Sequence, residues 1–107
     1  MTGAEAVERF PEARFVSGYF DPVLASHAAR LEELAAGRAL VVVLADPPDP
    51  LLPALSRGQL LSGLRSVSAV VLPGDPVAEP RVDAREEAAD IVRRSGLVER
   101  VHGRHAG

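Results

Sequence analysis

The 107-residue chain contains no cysteine, lysine, asparagine or tryptophan. Without cysteine, the sequence excludes disulfide bonds, a thiol nucleophile and a thiolate zinc site, a composition that suits a reducing compartment. The 12 basic residues are all arginine, so no lysine ammonium is available to bind a phosphate group. We interpret the exclusive use of arginine as a sign of GC-rich coding.

Charge and hydropathy argue against two classes of partner. Fifteen acidic and 12 basic residues are spread along the chain and give a formal net charge of -3, without a basic tract. We therefore expect neither nucleic acid nor a membrane as a partner. The apolar runs fall short of the roughly 18 to 20 residues that span a bilayer, and the amino terminus lacks the basic-then-apolar order of a signal peptide. These features predict a cytoplasmic protein.

The length and the 47% hydrophobic content fit one small domain over residues 1–107. The first dozen residues are polar without a clear period, which predicts a tail or a short leading helix over residues 1–12. Three apolar segments then predict strands, at Arg14–Gly18, Ala39–Ala45 and Ser68–Leu72. Because helical patterns alternate with these strands, the sequence predicts a parallel βαβ arrangement and an α/β fold.

The first of these helices is predicted to begin at Asp21-Pro22, where the aspartate can cap and the proline suits the first turn. Gly37 is predicted to end it. One face of this helix recurs at helical spacing and is expected to pack on the sheet: Leu24, His27, Leu31 and Leu34.

The second helix follows a proline-rich loop over residues 46–53, and two starting points are open, Pro53 or a capping box at Ser56-x-x-Gln59. Its expected inward positions are Leu60, Leu61, Leu64 and Val67. A second proline-rich loop, over residues 73–80, precedes a final helix for which Asp83 and Glu86 form an acidic N-cap pair. The expected inward positions of that helix are Ala88, Ile91, Val92, Val98 and Val101, although Gly96 leaves two shorter helices open.

The segment after the first strand reads Gly18-Tyr19-Phe20-Asp21-Pro22-Val23-Leu24-Ala25-Ser26-His27. It resembles the G-x-F-D-x-x-H-x-G-H motif of the cytidylyltransferase-like nucleotidyltransferases. The similarity extends from about Arg14 to Leu72 and includes an arginine, Arg57, followed by a helix and a strand. The resemblance implies a Rossmann-like nucleotidyltransferase fold, a small parallel sheet with flanking helices.

The resemblance also implies a reaction, the transfer of a nucleotidyl group from ATP or CTP to a phosphorylated small molecule with release of pyrophosphate. In this interpretation His27 is catalytic, and the nucleotide contacts Gly18, Tyr19, Phe20, Asp21, Ser26 and Arg57. Mg²⁺ is implied as the companion of the triphosphate. A homodimer is also expected, because members of the family often pair.

The sequence departs from the family motif at two positions, because Leu24 replaces the first histidine and Ser26 replaces a glycine. Leucine donates no hydrogen bond, and the loss of one preorganised donor typically slows such reactions by roughly 10²–10³-fold. Two hypotheses follow: a nucleotidyltransferase, or a catalytically inactive module that keeps the fold for nucleotide binding, dimerisation or partner interaction. The residues leave matching alternatives open, since His27 also suits a packed core position and Arg57 a solvent-exposed one.

Overall fold

A computed structural model describes residues 1–21, 23–75, 77 and 81–94 of the chain. In the order of the sequence its elements are α1 (Gly3–Arg9), β1 (Arg14–Gly18), α2 (Ala25–Ala35), β2 (Leu40–Leu44), α3 (Ala54–Ser62), β3 (Ala69–Val71) and β4 (Ala84–Arg85). Residues 87–94 are helical and are called α4 below.

The four strands form one parallel sheet in the order β3-β2-β1-β4. Arg14 of β1 lies opposite Leu40 of β2, and Gly18 lies opposite Leu44, so the carboxyl ends of the two central strands are level. The structure confirms an α/β fold with a small parallel sheet and flanking helices, which is consistent with a Rossmann-like arrangement. The three predicted strands are confirmed, with β2 and β3 each one residue shorter at both ends.

Alternate residues of the strands face two separate clusters of buried side chains. The larger cluster joins the sheet to α2 and α3 and includes Val16, Val42, Leu31 and Leu61. The smaller cluster lies on the opposite face, where Phe15 and its neighbours are covered by Ala6 of α1. The predicted leading helix is therefore present as α1, begun by the Thr2 hydroxyl, which accepts a hydrogen bond from the Glu5 N–H at 3.1 Å.

Helix α2 begins three residues later than the sequence predicts. Its N-cap is Leu24, with extended backbone (φ -110°, ψ 164°), whereas Asp21 lies in the preceding turn. The prediction was wrong because the Asp21 carboxylate accepts hydrogen bonds from the loop after β2 and so cannot cap the helix. The helix ends close to the predicted point, with Ala36 and Gly37 both at positive φ. His27, Leu31 and Leu34 are buried as expected, and Leu24 is half-buried.

Helix α3 begins after Pro53, the first of the two predicted starting points. Leu61 and Val67 are buried and Leu64 packs against the core, as expected. Leu60 is 53% exposed, so its predicted inward position was wrong. Because neighbouring residues of an α-helix project about 100° apart, Leu60 lies on the outer side while Leu61 faces the sheet.

The carboxyl-terminal part of the described chain differs most from the prediction. The two-residue strand β4 was missed, and Asp83 caps no helix because its carboxylate accepts the N–H of Phe15 in β1 at 2.8 Å. In α4 the expected inward positions Ala88, Ile91 and Val92 are exposed, and Asp90 is the buried one. Val98 and Val101 lie outside the described residues. In the described chain no helix is long and apolar enough to cross a membrane.

Candidate functional site

The turn that leaves β1 wraps around a carboxylate from the other end of the chain. The N–H groups of Tyr19 and Phe20 donate to the same oxygen, Oδ2 of Asp90, at 2.8 and 3.2 Å. Phe20 has a φ of 48°, which turns the two successive N–H groups toward one point. A Cβ on Gly18 would lie 2.5 Å from the Phe20 ring and 2.8 Å from Asp90 Oδ2, so this position requires glycine.

Asp90 is 4% exposed and receives two further donors at its other oxygen. Nε2 of His27 lies 2.6 Å from Oδ1, and Nη1 of Arg93 lies 2.8 Å from the same atom. Burial acts to raise the pKa of this carboxyl, but the hydrogen bonds from His27, Phe20 and Tyr19 outweigh it and hold the pKa below its usual value. Asp90 is therefore a carboxylate enclosed by four donors.

His27 is held by hydrogen bonds at both ring nitrogens. It occupies the third position of α2, where Nδ1 accepts the N–H of the N-cap residue Leu24 at 2.9 Å. Because Nδ1 accepts, the ring proton is on Nε2 and is donated to Asp90. The ring is 2% exposed and meets the Phe20 ring edge-on, with centroids 5.0 Å apart. Leu24 thus contributes its backbone to the site, while its side chain offers no donor.

Asp21 connects the turn to the loop that follows β2. Its two carboxylate oxygens accept the N–H groups of Leu51 and Leu52 at 2.6 and 2.8 Å, and the residue is 4% exposed. Asp21, the aspartate of the motif, therefore caps the loop that follows β2.

Arg57 is fully buried and joins three segments at the carboxyl edge of the sheet. Its Nη1 donates to the carbonyl oxygens of Tyr19 and Ala45, its Nε to that of Leu52, and its Nη2 to the Asp46 carboxylate. These four hydrogen bonds measure 2.6 to 3.0 Å. The solvent-exposed alternative for Arg57 is therefore wrong.

The structure brings most of the predicted site residues to one edge of the sheet. Gly18, Tyr19, Phe20 and His27 surround Asp90, and Arg57 reaches this group through the Tyr19 carbonyl. Ser26 lies in the first turn of α2 and is exposed. Sequence reasoning missed Asp90 and Arg93. Their i, i+3 spacing is a weak signal, since it is equally typical of a solvated salt bridge on a helix surface.

The arrangement binds one anionic group, the Asp90 carboxylate, through two backbone N–H groups, an imidazole N–H and a guanidinium. In the described part of the chain, no group of three histidine, aspartate or glutamate side chains is placed to hold a metal ion. Any Mg²⁺ at this edge would therefore depend on the triphosphate for most of its ligands.

Comparisons with known proteins add nothing to this geometry, because no family model, curated protein or solved structure matches the chain.

Proposed function

We propose that this chain is a catalytically inactive, nucleotidyltransferase-like module that keeps the fold for binding and transfers no nucleotidyl group. One observation carries the proposal: the Asp90 carboxylate occupies the place that the resemblance assigns to a nucleotide phosphate. Donors that already bind a protein carboxylate are not available to stabilise the charge of a reacting phosphate.

The state of His27 supports the same conclusion. Each of its nitrogens has a protein partner, so a phosphate could reach Nε2 only by replacing Asp90. Leu24 stands at the position of the first motif histidine, so no imidazole is available there to act instead of His27. The turn therefore lacks a second imidazole that could bind a phosphate while Asp90 stays in place.

Arg57 and Asp21 also act within the protein. Arg57 directs four of its donors to backbone carbonyls and to Asp46, and Asp21 uses both oxygens to cap the loop after β2. Both residues thus stabilise the edge of the sheet where a nucleotide would bind. Their presence in the motif is explained by the fold without any reaction.

The test is pyrophosphate release from ATP or CTP with Mg²⁺, measured against a panel of sugar and polyol phosphates. We expect no release above the protein-free reaction. The matched variant Leu24→His restores the motif histidine, and we expect it to remain inactive while Asp90 is in place. Release by the unaltered chain that disappears in His27→Asn would overturn the proposal.

The second candidate, nucleotidyl transfer by the unaltered chain, is favoured by the position of the turn. Gly18 ends β1, and residues 19–21 follow it at the carboxyl edge of the parallel sheet, next to the end of β2, where open α/β sheets bind their ligands. Calorimetric titration with ATP and CTP tests this candidate, since transfer requires nucleotide binding. An absence of binding would exclude transfer, whereas binding without pyrophosphate release would agree with the inactive module. The homodimer implied by the resemblance remains a proposal that light scattering in solution tests.

A further inference from the structure

We propose that the Gly18–Phe20 turn and His27 form an oxyanion site that Asp90 occupies in cis, so that α4 is an autoinhibitory latch against a free carboxylate or phosphate group. The inference concerns binding and holds whether or not the chain transfers nucleotidyl groups. It rests on the convergence of donors, on their enclosure and on the way α4 is attached.

The donors come from separate parts of the chain. Tyr19 and Phe20 belong to the turn after β1 and His27 to α2, whereas Asp90 and Arg93 belong to α4, some 70 residues further on. The turn and His27 are thus arranged by β1 and α2, without the chain segment that supplies the anion. An oxyanion that is not part of α4 can use the same three donors.

The site is enclosed. The Asp90 side chain is 2% exposed, and so is the side chain of His27. The Phe20 ring stands at one side and Gly18 at another, with no space for a Cβ. Low water access strengthens hydrogen bonds to a charged group, and the enclosure limits the site to a small oxyanion.

The attachment of α4 is mostly polar. Besides the contacts of Asp90, Glu86 accepts Nε of Arg30 at 2.6 Å, and Arg94 donates to the carbonyl oxygens of Pro48 and Asp49. The largest apolar side chains of α4 face outward, with Ile91 53% and Val92 71% exposed. Little apolar surface holds α4 in place, so the hydrogen bonds of Asp90 are the strongest of its contacts. A ligand that competes for the donors of Asp90 therefore weakens the attachment of α4.

The experiment compares thermal unfolding of the unaltered chain and of Asp90→Ala in sodium formate and in sodium chloride of equal ionic strength. The substitution removes one carboxylate, and formate is a carboxylate of that size. We expect formate to raise the unfolding midpoint of Asp90→Ala several degrees above its value in chloride. For the unaltered chain, whose site is filled, we expect no difference between the two salts.

Two variants serve as controls. Asp90→Asn fills the same space, so formate should leave its midpoint unchanged. Asp83→Ala also removes a carboxylate that accepts a backbone N–H, but that side chain is 43% exposed and faces no enclosed group of donors. An equal formate effect in Asp83→Ala or in the unaltered chain would mean a general salt effect and would overturn the proposal.

Inorganic phosphate is the second probe, at the same ionic strength. If only formate raises the unfolding midpoint of Asp90→Ala, the result supports the carboxylate site and overturns the phosphate part of the proposal. If neither formate nor phosphate raises it, the whole proposal is overturned. Should Asp90→Ala be unfolded in chloride, the helical signal in circular dichroism is followed on addition of formate. Recovery supports the proposal, and its absence counts against it. Pyrophosphate release is independent of all these readouts, so the two proposals fail separately.

Discussion

The carboxylate of Asp90 lies 2.6 Å from Nε2 of His27, and this buried contact joins α4 to α2. The groups around this contact also direct their hydrogen bonds to other parts of the protein. His27 keeps its proton on Nε2 because Leu24 occupies Nδ1, and the turn directs its N–H groups to the same carboxylate. A segment that resembles a nucleotide-binding motif therefore acts as a connection within the fold.

Replacing His27 by alanine is expected to destabilise the protein by about 2–4 kcal/mol, since it removes a buried ring, takes one of four donors from Asp90 and leaves the Leu24 N–H without its partner. The free energy of unfolding in urea measures the effect. Ser26→Ala, one position earlier on the exposed side of α2, is the matched control, with an expected change within about 0.5 kcal/mol. Equal effects for the two variants would contradict the buried pairing of His27.

Stability at low pH is expected to depend on Asp90. Its pKa in the folded chain is below the unfolded value of about 3.9, so its contribution is present above pH ~4 and is lost as the pH falls through the folded pKa. The groups that face it are His27, Arg93 and the N–H groups of Tyr19 and Phe20. Urea unfolding between pH 2 and pH 6 should show a weaker acid dependence for Asp90→Asn than for the unaltered chain. Identical slopes would show that Asp90 contributes no protonation-linked stability.

Gly18→Ala tests the close approach of the turn to Asp90. The new Cβ would meet the Phe20 ring at 2.5 Å and Asp90 Oδ2 at 2.8 Å, so we expect a loss of about 1–3 kcal/mol. Gly63→Ala is the control, since Gly63 has a negative φ of -79° and its Cβ would meet nothing closer than 3.4 Å. Chemical denaturation of both variants measures the difference, and a Gly18→Ala variant as stable as Gly63→Ala would contradict the packing described.

The sequence predicts the sheet well because its signal is local. The runs that became β1, β2 and β3 are short and bounded by polar or proline-rich segments. The central strands β1 and β2 are buried on both faces, as strands in parallel sheets are, and β3 is partly buried. Proline and glycine likewise locate the start of α3 and the end of α2. Each of these features depends on neighbouring residues alone.

The candidate site was harder to predict because it depends on contacts distant in sequence. The cap expected of Asp21 on α2 competes with its hydrogen bonds to Leu51 and Leu52, and the pattern of α2 cannot reveal that choice. In α4 the periodic positions Ile91 and Val92 predict an apolar inner face, but the pairing of Asp90 with His27 turns a polar position inward. Partners 63 residues apart leave no local pattern.

Among the buried polar residues, Arg57 is expected to cause the largest loss of stability when it is replaced. Arg57→Met keeps an apolar side chain of comparable length but leaves the carbonyl oxygens of Tyr19, Ala45 and Leu52 and the Asp46 carboxylate without this donor, and we expect a loss of about 3–5 kcal/mol. Arg57→Lys should recover only a small part, since one ammonium cannot reproduce donors that point in four directions.

The matched control for these variants is Arg65→Met, because Arg65 is exposed and makes no hydrogen bond or ion pair with any residue in the described ranges. Its free energy of unfolding should change by no more than about 0.5 kcal/mol. If Arg57→Met were as stable as Arg65→Met and bound ATP or CTP less tightly than the unaltered chain, the guanidinium would face a nucleotide and not the backbone. That pair of results would restore the ligand-binding role that the motif implies for Arg57.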